Sequence, residues 1–177
     1  METNDTGVVD VSQNIGASAE VIFKVIVDSR RHPDFDGSGM LRESKRQTPL
    51  NQVGDQFVMW MHNEEFGDYT MVNHVVEFEN CRRISWAPTR GLQHPEGSSE
   101  LPERGPAEIT WTYVLAPNGP EVTVVTEIYD CSHAPEDLRR VLKNGERWRV
   151  NMTASLERLA EICGREPGQR QEFLGSD

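Results

Sequence analysis

The sequence predicts an α+β fold: a seven-stranded curved antiparallel sheet, two short helices after the first strand, and a long C-terminal helix across the concave face. Three observations carry that expectation. In Gly145–Cys163, the residues Trp148, Met152, Ser155/Leu156, Leu159 and Ile162/Cys163 recur at steps of three and four, which is one face of an α-helix. Between Met40 and Cys131 the apolar pattern changes to period two, interrupted by turn words such as Thr48-Pro49-Leu50-Asn51 and Pro117-Asn118-Gly119-Pro120. Before that stretch, one β-branched strand word is followed by a short helical word.

Each element has its own local reason. Met1–Gly7 is polar and is expected to fray. Val8–Ile15 is rich in β-branched residues and reads as strand 1. Ser18 is placed to cap a helix whose Val21, Ile22, Val25 and Ile26 fall at helical spacing. Ser29–Phe35 reads as a second short helix or turn, closed by Pro33 and the glycines of Asp34–Gly39. The next strands are expected at Met40–Arg46, Gly54–His62, Tyr69–Glu79 and Arg82–Ala87. Pro88–Pro106 holds four prolines and three glycines and reads as a long loop. Ala107–Leu115 and Val122–Cys131 form the last hairpin. Ser132 is expected to cap a helix with Leu138, Val141 and Leu142 as its apolar face. Gly145 then permits a break before the final helix. Nineteen residues from Gly145 give it a length on the order of 28 Å. The polar stretch 164–177 reads as a mobile tail.

Bulk properties narrow the function. A length of 177 residues fits one domain, taken as 8–163. A net charge of −11 argues against nucleic acid and anionic membrane as partners. No apolar run reaches membrane-spanning length, so stable membrane insertion is not expected. The N-terminus has neither a basic start nor an apolar core of a signal peptide. Cys81, Cys131 and Cys163 are odd in number and widely spaced, which suits free thiols in a reducing cytoplasm.

Motif chemistry is sparse. The five histidines show no zinc spacing, and neither a P-loop nor G-x-G-x-x-G occurs, so neither metal nor cofactor is expected. Asp34–Gly39 imitates the start of a calcium loop, but the twelfth position is Lys45 rather than a glutamate. His74 shares a strand face with Val72, Val76 and Phe78, the more apolar of the two faces, and is assigned inward. There it would serve as an acid/base, or as a hydrogen-bonded core histidine. Trp111 and Tyr113 share a face with Ile109 and Leu115. Inward they would line a flat apolar pocket, and outward they would form an aromatic surface for a homodimer. Trp86 pairs with Ile84 in the same manner. Strand 3 is two-sided, with Phe57, Met59 and Met61 opposed to Val58, Trp60 and His62, and the methionine face is taken as inward. Trp148 and Met152 are the helix residues assigned to ligand contact, against plain core packing. Glu127 is either a buried acid or, as preferred here, exposed on the convex face.

Several words in this order resemble the START/Bet v 1-like (SRPBCC) superfamily, in particular its polyketide cyclase/dehydrase-type members. Ala17–Phe35 resembles the family's opening helices, and Val53-Gly54-Asp55-Gln56-Phe57 its V-G-x-x-F strand start. Val75–Trp86, Trp111-x-Tyr113-x-Leu115, Val124-Val125-Thr126-Glu127 and Trp148–Leu159 resemble the later strand words and the closing helix. The resemblance implies a helix-grip fold with a cavity between sheet and helix that holds a hydrophobic small molecule. It places Pro88–Pro106 near the mouth. The family includes carriers, aromatase/cyclases and co-chaperones, so fold alone does not choose among them. The primary expectation is binding of a lipid- or polyketide-like molecule by Met59, His74, Trp86, Trp111, Tyr113, Trp148 and Met152. The alternatives are a cyclase/dehydratase using His74 and a non-catalytic protein-interaction module.

Overall fold

The computed structural model describes residues 5–65, 67–90 and 108–164. Strand β1 (Val8–Ile15) leads into α1 (Ala19–Ile26), a 3-10 turn (Ser29–Arg31) and the short α2 (His32–Phe35). Then come β2 (Leu41–Ser44), β3 (Gln56–Asn63), β4 (Gly67–Glu79), β5 (Arg83–Arg90), β6 (Thr110–Pro117) and β7 (Thr123–Asp130). Helix α3 (Glu136–Val141), a 3-10 segment (Lys143–Trp148) and α4 (Arg149–Cys163) complete the described chain. The order in the seven-stranded antiparallel sheet is β1-β7-β6-β5-β4-β3-β2. The meander expected from the turns is present, and β1 closes the row by pairing with β7 from Val8 opposite Asp130 to Ile15 opposite Thr123.

Local chemistry explains the helix starts. Ser18 accepts a hydrogen bond from the Val21 N–H and so caps α1. Asp28 accepts the Arg30 N–H at 3.1 Å and holds the 3-10 turn. Pro33 lies in the first turn of α2, where its missing N–H costs nothing, and does not end the helix as the sequence suggested. Ser132 is not the cap of α3 either. Its N–H and hydroxyl both turn back to the Asp130 carboxylate, and Pro135 occupies the cap position. Gly7, assigned to the frayed N-terminus, is pinned instead: its carbonyl accepts the Cys131 N–H at 2.8 Å.

The final helix is shorter than its apolar stripe. Asn144 and Gly145 adopt left-handed backbone conformations and set a kink, so Trp148 falls at the end of the 3-10 segment. A Cβ at Gly145 would lie 2.8 Å from Tyr129 Cδ1 and 3.0 Å from Val9 Cγ2, so both backbone and packing require glycine. Helix α4 crosses the sheet against β1 and packs on α2. Its lower half, with Leu156, Leu159 and Cys163, joins the main core with Ile22, Ile26, Ile84 and Val125. Met152 joins a smaller cluster with Val9, Tyr129, Ala134 and Leu142, against which Trp111 and Trp148 pack. Leu159 is fully buried, so Leu159→Ala should cost about 2–5 kcal/mol. Chemical denaturation measures this, and a loss under about 1 kcal/mol would contradict the packing.

One irregularity in β4 controls which residues face the core. Val75 opposes Trp86, whereas Glu77 opposes Ser85, so the register slips at Val76. A β-bulge of this kind inserts one residue and inverts the phase of alternation. Before it the odd-numbered Tyr69, Met71 and Asn73 border the concave side, together with buried Val75. After it the even-numbered Phe78 packs on the core.

Candidate functional site

A pocket of about 290 Å³ lies between the sheet, α2 and the upper end of α4. Its walls are mostly apolar. Phe57, Met59 and Met61 of β3 enter it, so the methionine face of this strand is the inward one, whereas Trp60 is exposed and lies under the Lys45 ammonium at 5.7 Å. Trp86 from β5 meets Trp111 from β6 as a register partner, and Ile84 meets Tyr113. All four therefore share the concave face, and the alternative of an outward aromatic surface at Trp111 and Tyr113 does not apply.

The rings form two connected groups. Trp86 stacks on His32, with centroids 5.2 Å apart and planes at 21°, and lies 5.7 Å from Tyr113. Trp111 lies 4.6 Å from Tyr129 and 6.0 Å from Trp148, and the Trp148 ring is covered on one side by the Arg147 guanidinium at 5.0 Å. Edge and tilted contacts of this kind suit the ring quadrupole and hold each ring in one orientation. The structure thus brings Met59, Trp86, Trp111, Tyr113, Trp148 and Met152 to one pocket.

His74 is a correction. It points away from the pocket, on the opposite face of β4, because the bulge inverts the alternation that placed it inward. Its Nδ1 accepts from the Gln56 side-chain amide at 3.2 Å, and its Nε2–H donates to Thr89 Oγ1 at 3.1 Å. The Thr89 hydroxyl in turn donates to the Val72 carbonyl, which makes its oxygen the acceptor for histidine and fixes the proton on Nε2. The ring is a buried structural link across β3, β4 and β5.

Glu127 is the converse correction. Strand β7 alternates strictly, with Thr123, Val125, Glu127 and Tyr129 all buried, so the carboxyl points into the pocket and not to the convex surface. Glu127 is 4 % exposed. Tyr113 is its register partner on β6, and the phenol interacts with the Glu127 carboxyl. The other oxygen, Oε2, is buried without a hydrogen-bond partner. Burial pushes the Glu127 pKa up to about 8; the Tyr113 hydrogen bond opposes the rise and the charge of Asp36 adds to it. Burial likewise raises the Tyr113 phenol, helped by Glu127, and lifts Tyr129 to about 12. The register of the β6–β7 hairpin, counted back from its turn, was the signal that could have placed Glu127 beside Tyr113.

His32 was also missed. It stands in the pocket wall, its Nε2–H donating to the Ile26 carbonyl at 2.7 Å. Burial drops its pKa to about 4, so the ring is neutral at physiological pH. Asp36 borders the pocket below it. Its carboxylate accepts from the Ser38 N–H, the Ser38 hydroxyl and the Leu41 N–H, which is what the calcium-like word actually builds. The loop is tied to α4 by the Gly37 N–H on Ser155 Oγ at 2.8 Å and by the Arg158 guanidinium on the Asp36 carbonyl. The long loop assigned to Pro88–Pro106 is strand through Arg90, and 91–107 lies outside the described residues, as do 165–177 of the assigned tail.

An open antiparallel sheet gripped by a kinked C-terminal helix, with an aromatic pocket between them, is the START/SRPBCC helix-grip architecture. Within it, the chain belongs to the family described as Activator of Hsp90 ATPase homolog 1-like protein, whose model matches residues 16–164. A curated relative, the uncharacterized protein Rv0088 of Mycobacterium tuberculosis, is 28% identical over 138 residues, covering 77% of this chain and 53% of the relative. The chain thus spans about half the length of that protein. Among solved structures, the Zhui aromatase/cyclase from Streptomyces sp. R1128 matches with a TM-score of 0.60 at 14% identity, covering 89% of this chain and 93% of that one. A START superfamily protein from Mycobacterium smegmatis matches with a TM-score of 0.56 at 15% identity, covering 88% and 98% respectively. These likenesses show the fold. No helix among the described residues is long and apolar enough to cross a membrane.

Proposed function

We propose that the protein binds a hydrophobic, ring-containing small molecule in the pocket between the sheet and α4. The observation that supports this reading is the pocket itself, in which Trp86, Trp111 and Trp148 stand with Tyr113 and Tyr129 around an open volume of about 290 Å³. That volume sits at the lower edge of the roughly 300–1,000 Å³ common for small-molecule sites, so one or two fused rings fit better than a long acyl chain. Apolar walls supply most of the binding free energy, and the few polar groups fix orientation. The His74 ring lies on the other side of β4, out of reach of a molecule in this pocket.

Three of the four tryptophans line the pocket, so its occupation should quench intrinsic fluorescence. Titration with bicyclic aromatics should give saturable quenching and a raised melting temperature. Trp148→Ala should weaken binding about tenfold or more while lowering stability by less than Leu159→Ala does. No saturable quenching with any aromatic of this size would sink the reading.

A further inference from the structure

We propose that the pocket selects hydrophobic amines, with Glu127 as the residue that receives the ammonium group. This deepens the reading of the pocket as a small-molecule site and rests on it. Glu127 Oε2 is a buried oxygen with no partner, inside the pocket, beside the Tyr113 phenol. A buried polar atom left in this state costs free energy, and a ligand donor placed there removes that cost.

The surroundings choose the sign of the ligand's charge. Among the described residues, no lysine or arginine lines the pocket, so an anionic ligand would enter without a counter-ion. The fixed charge acting on Glu127 is Asp36, which is negative. The rings of Trp111, Trp148, Tyr113 and Tyr129 line the same pocket, and aromatic rings attract a cation through their quadrupoles. A carboxylate within an aromatic enclosure is a recurring way to hold an ammonium group.

The groups facing Glu127 leave it as the titrating one near neutral pH. Strand β6 presents Tyr113 and β7 presents Tyr129, both raised by burial. Helix α2 presents His32, which titrates near 4, and the loop after it presents Asp36. Helix α4 presents Asn151, Met152 and Ser155, β1 opposes Glu127 with Val11, and β4 contributes Tyr69 at the pocket edge. In the free protein Glu127 is mostly protonated at pH 7, because its pKa is about 8. Binding an ammonium therefore ionises it: the ligand enters as R–NH3⁺, the carboxyl becomes a carboxylate, and one proton passes to solvent.

The test uses three probes of one ring size, naphthylmethylamine, naphthylmethanol and naphthoate, with the full chain. Affinity is read by tryptophan quenching, and proton release by calorimetry in buffers of different ionisation enthalpy. The amine should bind about tenfold or more tighter than the alcohol. It should release up to one proton near pH 7, and its affinity should rise from about pH 6 to about pH 8. Glu127→Gln should bring the amine down to the alcohol's affinity and leave the alcohol within about twofold. Proton release by the unaltered protein keeps the test decisive even where that variant folds poorly. Equal binding of amine and alcohol, or preference for naphthoate, would overturn amine selection. Both leave the pocket reading standing. Failure of all three probes to bind overturns the pocket reading and amine selection together.

Discussion

Glu127→Gln should change the pH dependence of stability more than any other single substitution in the pocket. Glutamate in the unfolded chain titrates near 4.5, and folding raises Glu127 to about 8. The folded state therefore binds more protons than the unfolded state between those values, and stability falls as pH rises through this window. The favourable contribution is complete below about pH 4.5 and gone above about pH 8. A shift of this size corresponds to roughly 5 kcal/mol. Glutamine does not titrate, so the variant should lose this alkaline decline. Any constant offset from the buried amide cancels when the two profiles are compared from about pH 5 to about pH 9 by urea denaturation. Parallel profiles would show that the Glu127 carboxyl is solvated in the folded state. His32 works in the opposite direction. Its folded pKa of about 4 lies below its usual 6.5, so its contribution is present above about pH 6.5 and is lost as pH falls through about 4. The two groups together favour a stability maximum on the mildly acidic side of neutral.

Gly37→Ala should destabilise the protein by about 3 kcal/mol or more. A Cβ at Gly37 would lie 2.0 Å from the Asn151 carbonyl oxygen and 2.7 Å from the Ser155 nitrogen. Both are backbone atoms of α4, so a rotamer change cannot relieve the overlap. The same loop carries Asp36, Ser38, Met40 and Leu41 to the pocket, and Gly37 donates to Ser155 Oγ. Forcing the loop off the helix should also weaken ligand binding and the electrostatic effect of Asp36 on Glu127. Denaturation midpoints measure the first effect and quenching titrations the second. A cost under about 1 kcal/mol would show that α4 and this loop are not in close register.

Much of the architecture was written in local patterns. The stripe of Leu156, Leu159 and Cys163 needed a surface, and the core supplies one. Trp111, Tyr113 and Leu115 alternate cleanly, and the structure places them on the concave side. Ser18 caps α1, and the turn Pro117–Pro120 joins β6 to β7. The strand faces were less legible. In β7, one face carries Val124, Thr126 and Ile128 and the other Val125, Glu127 and Tyr129, so composition does not say which one is buried. Only pairing with Tyr113 on one side and Val11 on the other decides it.

The sequence by itself determined the order of elements, the antiparallel meander and the helix that closes it, because hydrophobic period and turn chemistry act over a few neighbouring residues. The tertiary structure alone decided which chemistry enters the pocket. A single bulged residue at Val76 turned His74 out, since a slip of one position inverts a strand's faces and depends on the partner strand. The β6–β7 register turned Glu127 in, and the approach of the loop to α4 made Gly37 indispensable. These contacts join residues far apart in the chain, where no local pattern records them.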